Sequence, residues 1–219
     1  MSTLFLITFV WNSCSESTDR SGTIDGHAYV DLGLPSGTLW ATCNVGASKP
    51  EGYGNYYAWG ETATKAVYDR VTYKWTSSSS SIIPTKYTGS SSAELRPADD
   101  AAYVNWGKNW RMPSKAQFDE LINSSYTTTT WTSINGIYGR KITSKMPGFV
   151  GNYIFLPAAG LRVGSSLGFA DTNGLYWSRT LYDNDMDSAW YLNFHSSNID
   201  VIDSYRREGY SVRPVRFSE

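Results

Sequence analysis

The sequence predicts an α+β domain of short strands, two helices and long irregular loops. Three observations carry this: strand-like runs of period two recur along the chain, two modest helical segments with start signals lie among them, and no repeat at a fixed period runs through it. The 219 residues are 41% hydrophobic and 18% charged. A chain this long buries roughly 70% of the surface its unfolded form exposes, so it needs neither disulfide nor metal to fold. Nine Trp and sixteen Tyr accompany abundant Ser, Thr, Gly and Asn. That mixture suits strands joined by polar turns, and it suits recognition surfaces, where Tyr and Trp give large contact area at low entropic cost.

Taken in chain order, "LFLITFVWNSC" is an apolar run that ends at Cys14 and is followed by polar "SESTDRSG". This is the shape of a secretory lipoprotein signal over residues 1–14, with Cys14 as the lipidated residue; the alternative is a hydrophobic first strand. Residues 15–24 read as a linker and 25–219 as the domain. "HAYVDLGLPSGTLWATCNVG" gives two strands around the turn "GLPSG", with Cys43 as a small buried hydrophobe. "GNYYAWGET" reads as a further aromatic strand, and Ser-rich residues 76–92 as a long exposed excursion.

"RPADDAAYVNWG" has Pro97 early, Asp99 and Asp100 in a first turn and Gly107 as a stop, which predicts a helix. A second helix is predicted in "RMPSKAQFDELINSS", where Ser114 and Gln117 make a capping box and Phe118, Leu121 and Ile122 form one apolar face. Candidate strands follow: "TWTSI", "YGRKIT", "NYIFLP", "LYWSR", "AWYLNF", "NIDVI" and "SVRPVRF".

Composition and motifs exclude several chemistries. With 19 basic and 20 acidic residues the net charge is −1, so no global field exists to hold a polyanion, and nucleic acid is not an expected partner. The two histidines, His27 and His195, lack ligand-spaced Cys or carboxylate neighbours, so no metal or other cofactor is expected. No phosphate loop or paired-cysteine motif occurs, and the chain is not expected to be an enzyme, although a carboxylate pair brought together by folding would leave no local signature. Asp183, Asp185 and Asp187 alternate as calcium ligands do. Ser188 and Phe194 occupy the positions where an EF-hand needs Gly and Glu, which leaves an irregular calcium site or a solvated acidic turn.

Seven stretches together resemble the Fibrobacter succinogenes major paralogous domain family, common in surface proteins of Bacteroidetes. They are "YVDLGLPSGTLWATCNVGA" (29–47), "YGNYYAWGET" (53–62), "YKW" (73–75), "NWRMPSKAQFDEL" (109–121), "IFLPAAGLR" (154–162), "GLYWSRT" (174–180) and "GYSVRPVR" (209–216). The resemblance implies a C-type lectin-like fold in the variant shared with formylglycine-generating enzymes. The active-site cysteine pair of those enzymes is not matched, since Cys43 is the only cysteine beyond Cys14. The fold is also similar to the variable proteins of diversity-generating retroelements, whose C-terminal codons are randomised at adenines.

That resemblance implies ligand binding through a C-terminal face. Strand alternation puts Trp190, Leu192 and Phe194 on one side and Tyr191, Asn193 and His195 on the other. In the next strand Ile199 and Val201 are inward candidates, Asn198, Asp200 and Ile202 outward ones, with Asp203, Ser204 and Tyr205 in a following loop. The expected ligand-binding set is Arg179, Leu181, Asp183, Asn184, Asp185, Tyr191, Asn193, His195, Asn198, Asp200, Ile202, Asp203, Ser204, Tyr205 and Arg206. Met186, Trp190 and Glu208 cannot arise from randomised adenines of an AAC codon. Gly209, Ser211, Val212, Arg213, Pro214 and Val215 are expected scaffold. The expected protein is a secreted, outer-membrane or cell-surface lipoprotein, held to the membrane by its lipid and binding a protein or glycan. The competing readings are a fixed-surface adhesin or carbohydrate-binding module, and an enzyme of the formylglycine-generating-like fold.

Overall fold

The computed structural model describes residues 21–76, 84–88 and 94–217. Along the chain these form β1 (Gly22–Ile24), β2 (His27–Asp31), β3 (Thr38–Ala41), a 3-10 turn (Pro97–Asp99), α1 (Ala101–Trp106), α2 (Lys115–Leu121), β4 (Thr127–Ile134), β5 (Ile137–Ser144) and β6 (Tyr153–Pro157). There follow β7 (Leu161–Val163), β8 (Ser166–Gly168), β9 (Gly174–Leu181), β10 (Ser188–Phe194), β11 (Ile199–Tyr205) and β12 (Val215–Phe217). The described residues build four small sheets, ordered β1-β2-β3-β12, β4-β5-β6, β7-β8 and β11-β10-β9, with antiparallel neighbours throughout. The architecture is therefore α+β.

The signal segment 1–14, Cys14 and residues 15–20 of the expected linker lie outside the described residues. The end of that linker is a strand instead: Gly22–Ile24 pairs with His27–Tyr29. The cause is local. Asp25 and Gly26 both take positive φ (49° and 79°), the two-residue hairpin turn whose twist matches its strands.

Two other expectations change. "GNYYAWGET" is irregular chain, bridged only by Tyr57 to Tyr210, and Tyr56, Tyr57, Ala58 and Trp59 are all buried. Tyr57 and Trp59 pack into one apolar cluster and Tyr56 and Ala58 into another, so the segment is buried on both sides without joining a sheet ladder. Within the Ser-rich excursion, residues 84–88 are tied down: the Lys86 ammonium and the Tyr87 hydroxyl both reach Asp99 Oδ2 at 2.5 Å.

The helices start where polar side chains satisfy free backbone N–H groups. Asp100 is the N-cap of α1 and not part of its first turn; its carboxylate accepts from Ala102 N (2.9 Å), Tyr103 N (3.1 Å) and, from outside the helix, Met112 N (2.9 Å). Ser114 and Gln117 form the capping box of α2, with Gln117 N donating to Ser114 Oγ at 3.2 Å and Ser114 N to Gln117 Oε1 at 2.8 Å. Phe118 and Leu121 are fully buried, and α2 contacts β9, β10 and β11.

Two large apolar clusters fill the interior. Trp59, Trp110, Trp177, Tyr191 and Tyr210 belong to one. Trp40, Phe118, Ile142, Tyr176, Leu192 and Phe194 belong to the other. Consecutive residues of β9 and β10 thus enter different clusters, so this sheet is covered on both faces. Gly174 is required at its start, because a Cβ there would lie 2.0 Å from Phe194 Cζ.

Candidate functional site

The C-terminal sheet rests on two buried arginines with neutral partners. Arg213 has no solvent exposure. Its Nε donates to Asn44 Oδ1 (2.9 Å), Nη1 to the carbonyls of Ala41 (3.1 Å) and Thr42 (3.0 Å), and Nη2 to that of Phe155 (2.9 Å). Burial lowers its pKa from the usual arginine value. Val215 pairs with Trp40, and Ser211 bridges Tyr176, so the run from Gly209 to Val215, buried throughout, is threaded between β3 and β9. Only its end forms the expected strand, since Pro214 has no N–H to offer a ladder.

Four of the expected binding residues are framework. Arg206 is fully buried, with Nε donating to the Tyr73 hydroxyl (2.9 Å), Nη1 to Met186 O (2.8 Å), Nη2 to Lys86 O (3.0 Å), and its guanidinium 4.6 Å from the Trp59 ring centroid. Leu181 is buried in the first cluster. Arg179 is tied by Nε to Glu94 Oε2 (2.7 Å) and by Nη1 to Met112 O (2.8 Å) and Gln117 Oε1 (2.9 Å). Tyr191 shares a face with Ile202 and Asn193 as expected, but its ring lies 4.9 Å from that of Tyr210 and 5.9 Å from that of Trp177. The 209–215 run covers that part of the sheet, which strand alternation alone cannot foresee.

The remaining expected residues line the outer part of the sheet and the loop before it. Asp183, Asn184 and Asp185 are exposed between β9 and β10. Asp203, Ser204 and Tyr205 extend β11 instead of forming a loop, opposite Trp190, Ala189 and Ser188. Asn193 faces Asp200, whose carboxylate also accepts from Asn198 Nδ2 at 3.0 Å. His195 and Asn198 form the hairpin turn, and Arg140 Nη2 holds it from β5 by bonds to both carbonyls, 2.7 and 3.1 Å. Ile202 and Tyr205 are exposed. Among the described residues β11 has no strand neighbour on its outer side.

The fold adds Arg70, Arg207 and Glu208 to this surface. Asp187 Oδ2 pairs with Arg207 (2.8 Å) and Arg70 (3.6 Å), and the Arg207 guanidinium lies 3.9 Å from the Tyr205 ring centroid. Glu208 Oε2 accepts from the hydroxyls of Ser204 (3.1 Å) and Tyr210 (2.6 Å). Burial, reinforced by carboxylates including Glu208, pushes the phenols of Tyr191 and Tyr210 up. Of the three alternating aspartates, Asp187 is engaged by guanidinium groups and Asp185 Oδ1 accepts Asp187 N (2.9 Å). Among the described residues no group of three or more His, Cys, Asp or Glu is arranged to hold a metal ion.

A concavity of about 210 Å³ at the edge of β11 is lined by Asp185, Ser188, Asp203, Ser204 and Tyr205. Larger clefts lie elsewhere. One of about 430 Å³ is lined by Val30, Thr42, Ile154 and Phe155 among others. Another, of about 450 Å³, brings together His27, Cys43 and Trp106. Cys43 is therefore half-buried at a cleft wall instead of a core hydrophobe, with Sγ 3.6 Å from Thr42 Oγ1. Sequence spacing gave no sign that His27 and Cys43 line one cleft.

No helix among the described residues is long and apolar enough to cross a membrane. In comparisons with known proteins, no curated protein and no solved structure matches the chain. Residues 150–215, which run from just before β6 through the 209–215 run and so include β9, β10 and β11, are similar to a family described as a domain of unknown function (DUF8237).

Proposed function

We propose that the chain is a non-catalytic, cell-surface ligand-binding protein that uses the outer face of the β10–β11 hairpin, with a C-type lectin-like fold of the formylglycine-generating-enzyme variant. The carrying observation is the division within one hairpin. Leu192, Phe194, Arg206 and the 209–215 run are buried, while Asn198, Ile202 and Tyr205 on the same hairpin are exposed. Exposed positions tolerate exchange at about ±0.5 kcal/mol, whereas buried ones cost several-fold more, so such a frame can present many alternative surfaces. The resemblance to the variable proteins of diversity-generating retroelements supports the same reading, with the exposed residues as the diversified set. The anchor in this proposal is lipid on Cys14, and the ligand is a protein or glycan at the cell surface.

Sequencing the coding region for residues 174–216 across many cells of the source population, with the downstream DNA, tests it. Changes concentrated at Asn193, Asn198, Asp200, Ile202 and Tyr205 codons, beside a near-identical invariant copy and a reverse transcriptase, are the expected result. Uniform codons and no such copy overturn diversification, and leave a fixed-surface adhesin to be screened against glycans and host proteins with and without calcium.

A further inference from the structure

The exposed face is wider than the β10–β11 hairpin, and backbone and side-chain contacts join its parts. Tyr68 and Gly164 exchange backbone hydrogen bonds of 2.7 and 2.8 Å, which sets the 69–72 loop against the β7–β8 hairpin. Arg162 and Gly209 exchange bonds of 2.8 and 2.9 Å, which sets β7 beside the residues that follow β11. Arg70 reaches Asp187, next to Met186, and Arg207 links Asp187 to the Tyr205 ring. Exposed apolar side chains lie on these segments: Val71, Val163, Leu167, Met186 and Tyr205, whereas Ile202, the cross-strand partner of Tyr191, points to the other face of β11. Several large apolar groups on one connected surface mark an interaction site more than scattered ones do.

Acid outweighs base on this surface, where Arg70, Arg162 and Arg207 stand against Asp183, Asp185, Asp187, Asp200, Asp203 and Glu208. Residues 181–205 contain Asp183, Asp185, Asp187, Asp200 and Asp203 and neither Lys nor Arg, although the whole chain is nearly neutral at −1. Arg70 and Arg207 both bind Asp187. By contrast Asp200 is held by amide nitrogens, Glu208 by hydroxyls and Asp185 by a backbone N–H and a hydroxyl, so their negative charge is not neutralised by those partners. The concavity of about 210 Å³ lies in this field, with Asp185 and Asp203 on its wall and the Tyr205 ring beside them. It is smaller than the roughly 300–1,000 Å³ of sites that enclose a drug-sized ligand, and has room for one long side chain.

We infer that the ligand of this face is a protein surface presenting an Arg or Lys side chain among apolar ones, the cation entering the concavity between Asp185 and Asp203 while the apolar groups cover Tyr205 and Met186. The inference rests on the ligand-binding reading above and narrows it from protein or glycan to a basic protein surface. Complementary potentials steer such an encounter and fix its register, while the apolar contacts supply most of the holding energy.

The test uses the full chain, panned against a phage-displayed library of random short peptides and, in parallel, against an array of glycans. The expected result is recovery of peptides enriched in Arg or Lys beside aromatic or aliphatic residues. Their affinity falls about tenfold in Asp203→Asn and in Tyr205→Ala, weakens with added salt, and is unchanged in Tyr153→Ala on β6. All three altered residues have solvent-accessible side chains, and matching thermal melting curves verify the fold. If peptides without basic enrichment, or glycans, bind and are lost in Tyr205→Ala but not in Asp203→Asn, the basic-partner inference is overturned and the binding face stands. If no retained peptide or glycan depends on Ile202, Tyr205 or Asp203, both the inference and the face are overturned.

Discussion

Tyr191 and Ile202 are direct cross-strand partners on one face of the β10–β11 hairpin, yet Tyr191 is 7% exposed and Ile202 37%. Their substitution costs differ accordingly. Tyr191→Ala empties a site packed by Trp177 and Tyr210 and is expected to lose about 3–5 kcal/mol in urea unfolding. Ile202→Ala is expected to stay within about 1 kcal/mol. Equal losses would mean that the hairpin has no tolerant side, and the proposed face would go with it.

Arg213→Met removes a buried guanidinium and leaves the carbonyls of Ala41, Thr42 and Phe155 and the Asn44 amide oxygen without that donor. Each orphaned group costs about 1–3 kcal/mol, so a loss of at least about 3 kcal/mol is expected in chemical denaturation. Arg213→Lys is expected to recover little, because an ammonium cannot span acceptors on three segments in one plane.

The two helix caps separate in the same assay. Ser114→Ala loses one capping acceptor and is expected to cost about 1 kcal/mol. Asp100→Ala also strips Met112 N of its acceptor in the interior, and about 2 kcal/mol or more is expected.

Acid sensitivity is expected at His27. Its ring stacks on Trp106 with centroids 3.7 Å apart, and burial holds its pKa below 6.5 despite the opposing pull of Asp25. The unfolded chain therefore binds this proton first. The stability that neutral His27 contributes is complete above about pH 6.5 and is lost as pH falls through the folded value. Melting temperatures recorded between about pH 7 and pH 5 should fall less steeply in His27→Phe than in the parent; parallel curves would assign the sensitivity elsewhere.

Elements with local signatures were legible in the sequence. The capping box at Ser114 and Gln117 and the turn between β2 and β3 depend on residues a few positions apart, and the structure has both. The Asp25-Gly26 turn carried an equally local signal, but the polar residues before it read as linker. The site was legible only by half. Period two correctly paired Tyr191 with Asn193 on one face, but it assumes a sheet open to water on one side, and here Tyr210 and Trp177 close part of that side. Arg206 looked like a surface charge because its acceptors, Met186 O, Lys86 O and the Tyr73 hydroxyl, lie far away in sequence and are uncharged. The meeting of His27 with Cys43 at one cleft is likewise a product of β2–β3 pairing, not of spacing.

The free outer edge of β11 has a consequence for the behaviour of the protein in a crowd of its own copies. An unpaired strand edge is a template on which a second chain can add its own strand, and proteins guard such edges with like charge. Asp200 and Asp203 supply that charge on β11. Carboxylates that would welcome a cationic partner therefore also keep identical molecules apart. A surface free to vary at these positions has to retain some acid there, or it will begin to assemble with itself.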